Sequence, residues 1–452
     1  MRNISSFRSK APHGIAIAAL LAFCAASPAQ GPQSGSPQVV APQTCSGESR
    51  EETELTPGVI WIHLCREAPA NPDARPAAGQ PVGAPAGPWS IHILEVARHR
   101  REIAVHSRVG TDREGRLERV PLTQLAARAR ADDEDVIAAV NGDYDFAAPQ
   151  LGLPIGLAVS NGRIWSAGGP SRPAMAILES NIPMIGVPDS ALKLHVKDKF
   201  IDKFLRVDTL NKPMDFSLGD NLRAYTRGFN TEVKAPKPFR AIVVTHLSPG
   251  GPIQIFGGLR GVVTEIREAG EVQIIPENAL LLAEPPDVSN SRSVLKNFKV
   301  GQKVILLTAV SIGGQVNIKE AIGGLPMLIS GGKISIEGEG DPGEYLKARH
   351  PRTAVCYTDD NFIFAVVDGR QPKLSVGMTL EELADFMLSL GCKEAMNSDG
   401  GGSTELAVAL PANSTHPSTF PPAAGSGLTI VNSPSDCNER GRPNAWMIIR
   451  NH

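Results

Sequence analysis

Neither sign of charge dominates this 452-residue chain: 45 Lys and Arg stand against 47 Asp and Glu, a formal net charge of −2. That balance excludes the polybasic surface needed for long-range steering toward nucleic acid, and no nucleic-acid partner is expected. Beyond the first thirty residues there is no uninterrupted apolar run of about twenty, so no membrane span is expected either. The sequence also lacks a P-loop, a G-x-S-x-G elbow, HExxH and CxxC. These absences set aside P-loop nucleotide hydrolases, standard serine hydrolases and zinc knuckles. Gly (44) and Pro (37) are plentiful but follow no three-residue period, which excludes collagen and implies many turns. With 42% hydrophobic and 20% charged residues, wholesale disorder is excluded.

The N-terminus reads as an address. Arg2, Arg8 and Lys10 precede the apolar run 15–26, and small residues follow at Ser27 and Ala29, the pattern of a secretory signal peptide over 1–29. Export to the periplasm or beyond follows, in a compartment where disulfides persist. Five cysteines then remain, so one is expected to stay unpaired in the monomer. Cys45 and Cys65 flank one short segment and are the expected pair, while the partners of Cys356, Cys392 and Cys437 stay open. Residues 30–88 are rich in Pro, Ala and Gly around one short ordered element at 59–64. The main domain is expected over 89–450, with a β-rich subdomain or insertion at 188–318, where short alternating runs are separated by Gly, Pro and Asn.

The chemistry-bearing motifs sit at the ends of predicted strands. The apolar run 136–140 ends in Asn141-Gly142-Asp143-Tyr144-Asp145. Strand 362–367 ends in Asp368-Gly369-Arg370, and Thr379-Leu380-Glu381-Glu382 is a capping box that opens a helix closed by Gly391. Strand 394–396 then leads into Asn397-Ser398-Asp399-Gly400-Gly401-Gly402-Ser403-Thr404. Strand, helix, strand implies a parallel β-α-β unit with Asp368 and Arg370 beside Asn397 and Asp399 at one sheet edge. The fold expected is therefore α+β, a mixed sheet flanked by helices. Three successive glycines clear side-chain bulk and let backbone N–H groups approach an anion or a sugar. Arg352 and Arg370 supply planar forks that match phosphate. Gly338-Glu339-Gly340-Asp341-Pro342-Gly343 fits a dinucleotide pattern, but Pro342 and Pro351 leave no room for the helix such a site requires. Asp143 and Asp145 carry the alternating oxygens of a calcium loop, whereas Phe146 stands where its glycine belongs. Calcium is left open, and no other cofactor is required.

Residues 397–404 resemble the Asn-Leu-Asp-Gly-Gly-Gly-Ser-Thr signature of the phosphodiester glycosidase family. Further segments agree in order: 138–145; 152–162 with Pro154, Gly156 and Asn161; 321–328 with Gly331-Gly332-Lys333; His350-Pro351-Arg352-Thr353-Ala354; Asp368-Gly369-Arg370; and Gly377-Met378-Thr379-Leu380. Ser398 departs from the pattern, as does Asp145-Phe146, where an aromatic residue is expected first. The resemblance implies hydrolysis of a sugar-1-phosphodiester, of the N-acetylglucosamine-1-phosphate type, at the glycosidic bond. It places Asp399 as the key carboxylate and Asp368 as the second. Arg352 and Arg370 would hold the phosphate, with His350, Asn141, Asn397, Gly400, Gly401, Gly402, Ser403 and Thr404 around the substrate. Two other readings stay open: an envelope carbohydrate-binding protein without turnover, and a phosphodiesterase that cleaves the P–O bond. The sugar, the aglycone and the oligomeric state are not legible.

Overall fold

The computed structural model describes residues 45, 47–68, 87–148, 152–169, 171–197, 202–214, 221–286, 288–289, 291–337, 347–414, 416 and 418–451. The expected leader 1–29, the Pro-rich stretches 30–43 and 69–86, and the glycine pattern 338–343 lie outside them.

Two sheets face each other over the main core. The larger runs Ser49–Thr56, Val59–Glu67, Pro88–Ala97, Asn361–Val367, Arg352–Tyr357, Glu394–Asn397, Met327–Ser330, Lys333–Glu337. The smaller runs Thr429–Ile430, Leu406–Val408, Asp135–Asn141, Asn444–Arg450, Ile103–Val109. The two-residue period of a strand explains why the central strands read as continuous apolar runs. Leu94, Val96, Val355, Phe364 and Val366 point inward to meet Ile137, Val140, Trp446 and Ile448 of the smaller sheet. Their neighbours Ile91, Ile93, Ala354, Cys356, Ile363 and Ala365 point outward, where Leu380, Leu383, Phe386 and Met387 cover them.

Those covering residues belong to α-helix Leu380–Ser389, whose N-terminus carries the expected capping box between Thr379 and Glu382. A second α-helix, Leu122–Ala131, lays Leu122, Leu125, Ala126 and Ala129 on the outer face of the smaller sheet. Truncating a fully buried ring such as that of Phe364 would cost about 3–5 kcal/mol.

The expected α+β arrangement does not form. The protein is mostly β, 52% strand against 8% helix. Nor is there a parallel β-α-β pair in the C-terminal third. Asn361–Val367 and Glu394–Asn397 run in the same direction, but Arg352–Tyr357 lies between them and pairs antiparallel with both. The connecting helix therefore steps over one strand, whose own N–H and C=O groups satisfy both neighbours. Helix and strand pattern fixes the direction of travel. It does not reveal which strand from elsewhere in the chain fills the gap.

A third sheet holds a closed barrel. Seven strands run in the order Asp189–Lys197, Lys303–Ser311, Phe256–Ile274, Glu232–Ser248, Leu280–Ala283, Leu222–Tyr225, Asp202–Leu210, and the last pairs with the first. Alternating Leu192, Leu194 and Val196 fill the interior with Val207, Ile242, Leu282 and Leu306. The one parallel ladder among the described residues, Asp202–Leu210 with Leu222–Tyr225, belongs to this barrel. From Asp202–Leu210 the sheet continues through Arg163–Gly168, Ala158–Ser160 and Ile318–Gly323 toward the main core.

Two disulfides join described residues. Cys45–Cys65 is the expected pair, and Cys356–Cys392 ties the central strand to the segment after helix Leu380–Ser389. The unpaired thiol expected from the sequence is absent among the described residues, because Cys437 is disulfide-bonded as well. No described helix is long and apolar enough to cross a membrane.

Candidate functional site

The glycine loop leaves strand Glu394–Asn397 and returns through a 3₁₀ turn at Gly401–Ser403. Three anchors hold it. Asn141 donates from Nδ2 to the Asp399 carbonyl (2.7 Å), while its Oδ1 accepts from Thr353 Oγ1 (2.8 Å) and Glu405 N–H (3.0 Å). The Asp399 N–H donates to the Gly142 carbonyl at 3.0 Å, and the Gly401 N–H donates to the Pro351 carbonyl at 2.9 Å. From the far side, buried Arg442 donates to the carbonyls of Ser403 (2.9 Å), Gly402 (3.1 Å) and Gly441 (3.2 Å) and to Glu405 Oε2 (3.3 Å). Burial pushes the Glu405 carboxyl well up, Arg442 pulls it back, and Glu439 raises it further.

The glycines are required by what leans on them. Gly401 has φ +63° and packs against the guanidinium of Arg370, whose Nη2 would lie 3.1 Å from an added Cβ. At Gly402 a Cβ would collide with the Asp436 carboxylate, which is itself ion-paired with Arg440. Arg440 also donates to Ser403 Oγ at 3.4 Å.

Asp399 is therefore surrounded by Ser403, Arg442, Arg440 and a second carboxylate, Asp145. Burial pushes its carboxyl up to about 6; Ser403, Arg442 and Arg440 hold it down, and Asp145 adds to the rise. Asp145 is clamped by Arg119 through two bonds, Nε to Oδ2 at 2.5 Å and Nη2 to Oδ1 at 2.7 Å, and accepts the Gly152 N–H at 2.7 Å. Asp145 raises the pKa of Arg119 through that hydrogen bond, and Asp399 adds to the rise. The arrangement is two carboxylates within electrostatic reach of each other, one fixed by an arginine fork and one poised near neutrality.

Arg370 is exposed, sits in the left-handed region at φ +62°, and donates from Nη2 to His350 Nδ1 at 3.2 Å. Burial, then the charges of Arg352 and Arg370, push His350 down to about 3, so a neutral ring accepts that bond. Arg352 is placed differently. It is fully buried, and donates to the carbonyls of Met378 (2.9 Å) and Ala348 (3.0 Å).

Asp368 does reach the loop, through Asn432, which donates to Asp368 Oδ1 and to the Thr404 carbonyl, both at 3.1 Å. It is 1% exposed and also accepts from Ser90 Oγ (2.9 Å) and Ser433 N–H (2.8 Å). Asn397 donates from Nδ2 to the Tyr144 hydroxyl, the Leu325 carbonyl and the Ser398 carbonyl. Its Oδ1 is buried with no acceptor bond made, as are Ser398 Oγ and Thr404 Oγ1. Asp143 is fully buried, accepting from Tyr144 N–H (2.8 Å) and Gly156 N–H (2.6 Å) with Arg172 at 3.8 Å. Asp143 and Asp145, the residues considered for calcium, thus spend their oxygens on backbone N–H groups and arginines.

Residues 255–449 match the phosphodiester glycosidase family. The match includes the whole glycine loop with Asp399, Asp436, Arg440 and Arg442, and the resemblance read from the sequence is thereby shown across that stretch. Asn141, Asp145 and Arg119 lie outside it. No curated protein matches the chain. Among solved structures, a hypothetical protein from Synechocystis is similar at TM-score 0.64 and 17% identity, over 90% of this chain and 64% of that one. The chain thus spans about two thirds of that protein's length. A Burkholderia pseudomallei protein described as exported is similar at TM-score 0.63 and 19% identity, over 90% and 98% of the two chains. The catalytic domain of zebrafish N-acetylglucosamine-1-phosphodiester alpha-N-acetylglucosaminidase gives TM-score 0.44 at 14% identity, over 90% and 88%. The first two likenesses show the fold.

The sequence does not single out Arg119, Arg440, Arg442 or Asp436, and it offers Asp145 as part of a strand-end segment and a calcium candidate without a catalytic role. One signal was available: Arg440-Gly441-Arg442-Pro443-Asn444 is a basic, turn-forming run directly ahead of the apolar strand Asn444–Arg450.

Proposed function

We propose that the protein is an exported hydrolase that cleaves a sugar-1-phosphodiester at the glycosidic bond, with the glycine loop as its catalytic centre. The observation that carries this reading is Asp399, lodged between Asp145 and the Arg440–Arg442 pair with its carboxyl pushed up to about 6. A phosphodiester leaves as a stabilised anion and needs little protonation, so the chemistry turns on charge at the anomeric carbon. Ionised Asp399 steadies that oxocarbenium-like charge and takes up the proton of the attacking water. The carbon–oxygen bond to phosphate breaks, and the phosphomonoester leaves with the electron pair. Exposed Arg370, held over Gly401, binds the phosphate, while the charge of Asp145, fixed by Arg119, keeps Asp399 raised. Asn397, through its Nδ2 bonds to Tyr144 and Leu325, holds the base of the loop.

The test is to incubate the protein with UDP-N-acetylglucosamine and a panel of other sugar-1-phosphodiesters, following free sugar in oxygen-18 water. Label in the sugar and a rate that rises with pH through about 6 support the reading. Label in phosphate means P–O cleavage. Binding without turnover means a carbohydrate-binding protein. Undiminished turnover by a folded Asp399→Asn variant removes the loop from catalysis.

A further inference from the structure

A groove of about 200 Å³ opens where the barrel meets the rest of the chain. Its floor is fixed by the close approach of two strands: a side chain at Gly168, φ +76°, would collide with the Asp208 carbonyl. Its walls carry Ser171, Arg172, Asp189, Ser190, Arg206 and Asp208. Four of these, Asp189, Ser190, Arg206 and Asp208, come from the barrel strands Asp189–Lys197 and Asp202–Leu210.

The charge on the walls cancels. Arg206 Nε pairs with Asp208 Oδ1 at 3.0 Å, and Arg172 stands 3.8 Å from Asp143. A phosphate would gain little here. Alternating donors and carboxylate acceptors around a small, almost wholly polar cavity suit a ring of hydroxyls instead, each of which donates and accepts. Arg172, on the wall, has 11% of its side chain exposed and leaves its buried Nε without a hydrogen bond.

The groove is joined to the glycine loop. Arg172 lies over the Tyr144 ring, 5.5 Å from its centroid, and the Tyr144 hydroxyl accepts from Asn397 Nδ2 at 2.8 Å. Gly156, on the groove wall, donates its N–H to Asp143 at 2.6 Å. Buried Lys212 secures the same wall to the barrel by donating to the carbonyls of Pro154 (2.8 Å), Ile155 (2.6 Å) and Gly156 (2.7 Å).

We propose that this groove is a saccharide subsite, in which the barrel holds an uncharged sugar unit of a longer substrate while the scissile linkage lies at the glycine loop. The proposal rests on the hydrolytic reading of that loop for its kinetic arm only. Two variants avoid the catalytic machinery: Arg206→Ala, at a side chain 76% exposed, and Ser190→Trp, which fills the cavity. The substrates are methyl N-acetylglucosamine-1-phosphodiester and the same diester extended by neutral disaccharides on either side. Both variants should raise KM for an extended diester about tenfold and leave kcat/KM for the methyl diester unchanged. Equal effects on both substrates, or none on the extended ones, would overturn the subsite. Binding of phosphate-free disaccharides is measured in parallel by calorimetry on the Asp399→Asn protein. Affinity lost in the Ser190→Trp background supports the groove even if no diester turns over. Affinity unchanged by filling it refutes the groove even if hydrolysis is confirmed.

Discussion

Asp399→Asn should destroy turnover and yet make the protein more stable at neutral pH. In the folded chain the Asp399 carboxyl is held at about 6 against an ordinary 3.8, chiefly by burial. Between those values the native state binds a proton that the unfolded chain has lost. Wild-type stability therefore falls as pH rises through this window, and above about 6 the full penalty is present. A shift of that size corresponds to about 3 kcal/mol at about 1.36 kcal/mol per unit. Asparagine keeps the shape and the ability to accept from Ser403 but never ionises, so it escapes the penalty. Urea unfolding of the two proteins in parallel at pH 4, 5, 6 and 7.5 gives the difference directly. The variant should match the wild type near pH 4 and gain progressively, approaching about 3 kcal/mol above pH 6. A difference that does not change with pH, or an Asn protein that is weaker at pH 7.5, would refute the claim that burial strains this carboxylate. A functional group that destabilises its own fold is the usual signature of a site shaped for chemistry.

Other outcomes follow from the same geometry. Arg442→Met strands three carbonyls and Glu405 and should cost about 3–5 kcal/mol in calorimetric unfolding. Gly402→Ala drives a methyl group into the Asp436 carboxylate and should cost about 1–3 kcal/mol of stability, with a loss of turnover that exceeds what partial unfolding explains. Removing Cys356–Cys392, whose residues are 36 apart in sequence, by a Cys356→Ala, Cys392→Ala double substitution should lower stability by about 2–4 kcal/mol in denaturant titrations run without reductant. Lys212→Met removes the donors to Pro154, Ile155 and Gly156 and should lower the melting temperature while raising proteolysis of the 152–156 segment.

The glycine loop was legible because its signature stands in consecutive letters, Asn397 to Thr404, although the groups that demand glycine at 401 and 402, Arg370 and Asp436, come from elsewhere in the chain. The same holds for the capping box at Thr379 and for the apolar runs that became central strands. What the sequence hid is long-range. Arg352 reads as a phosphate ligand because its planar fork matches phosphate and its motif resembles the family's, yet strand pairing carries it into the core, against Met378 and Ala348. Asp145 reads as a turn or metal residue, and only the packing of the 152–156 segment and Arg119 brings it to Asp399. The parallel β-α-β expectation failed because Arg352–Tyr357 lies between Asn361–Val367 and Glu394–Asn397, and the wider α+β expectation failed because strand outweighs helix, 52% against 8%.

The barrel leaves and rejoins the chain at a single doorway, because Asp189, where it begins, pairs across the ladder with Ser311, where it ends. A segment whose two ends already touch can lengthen, shrink or be exchanged without stretching the chain on either side. A different closed segment grafted between those two residues would leave the main-core strands and the glycine loop covalently undisturbed.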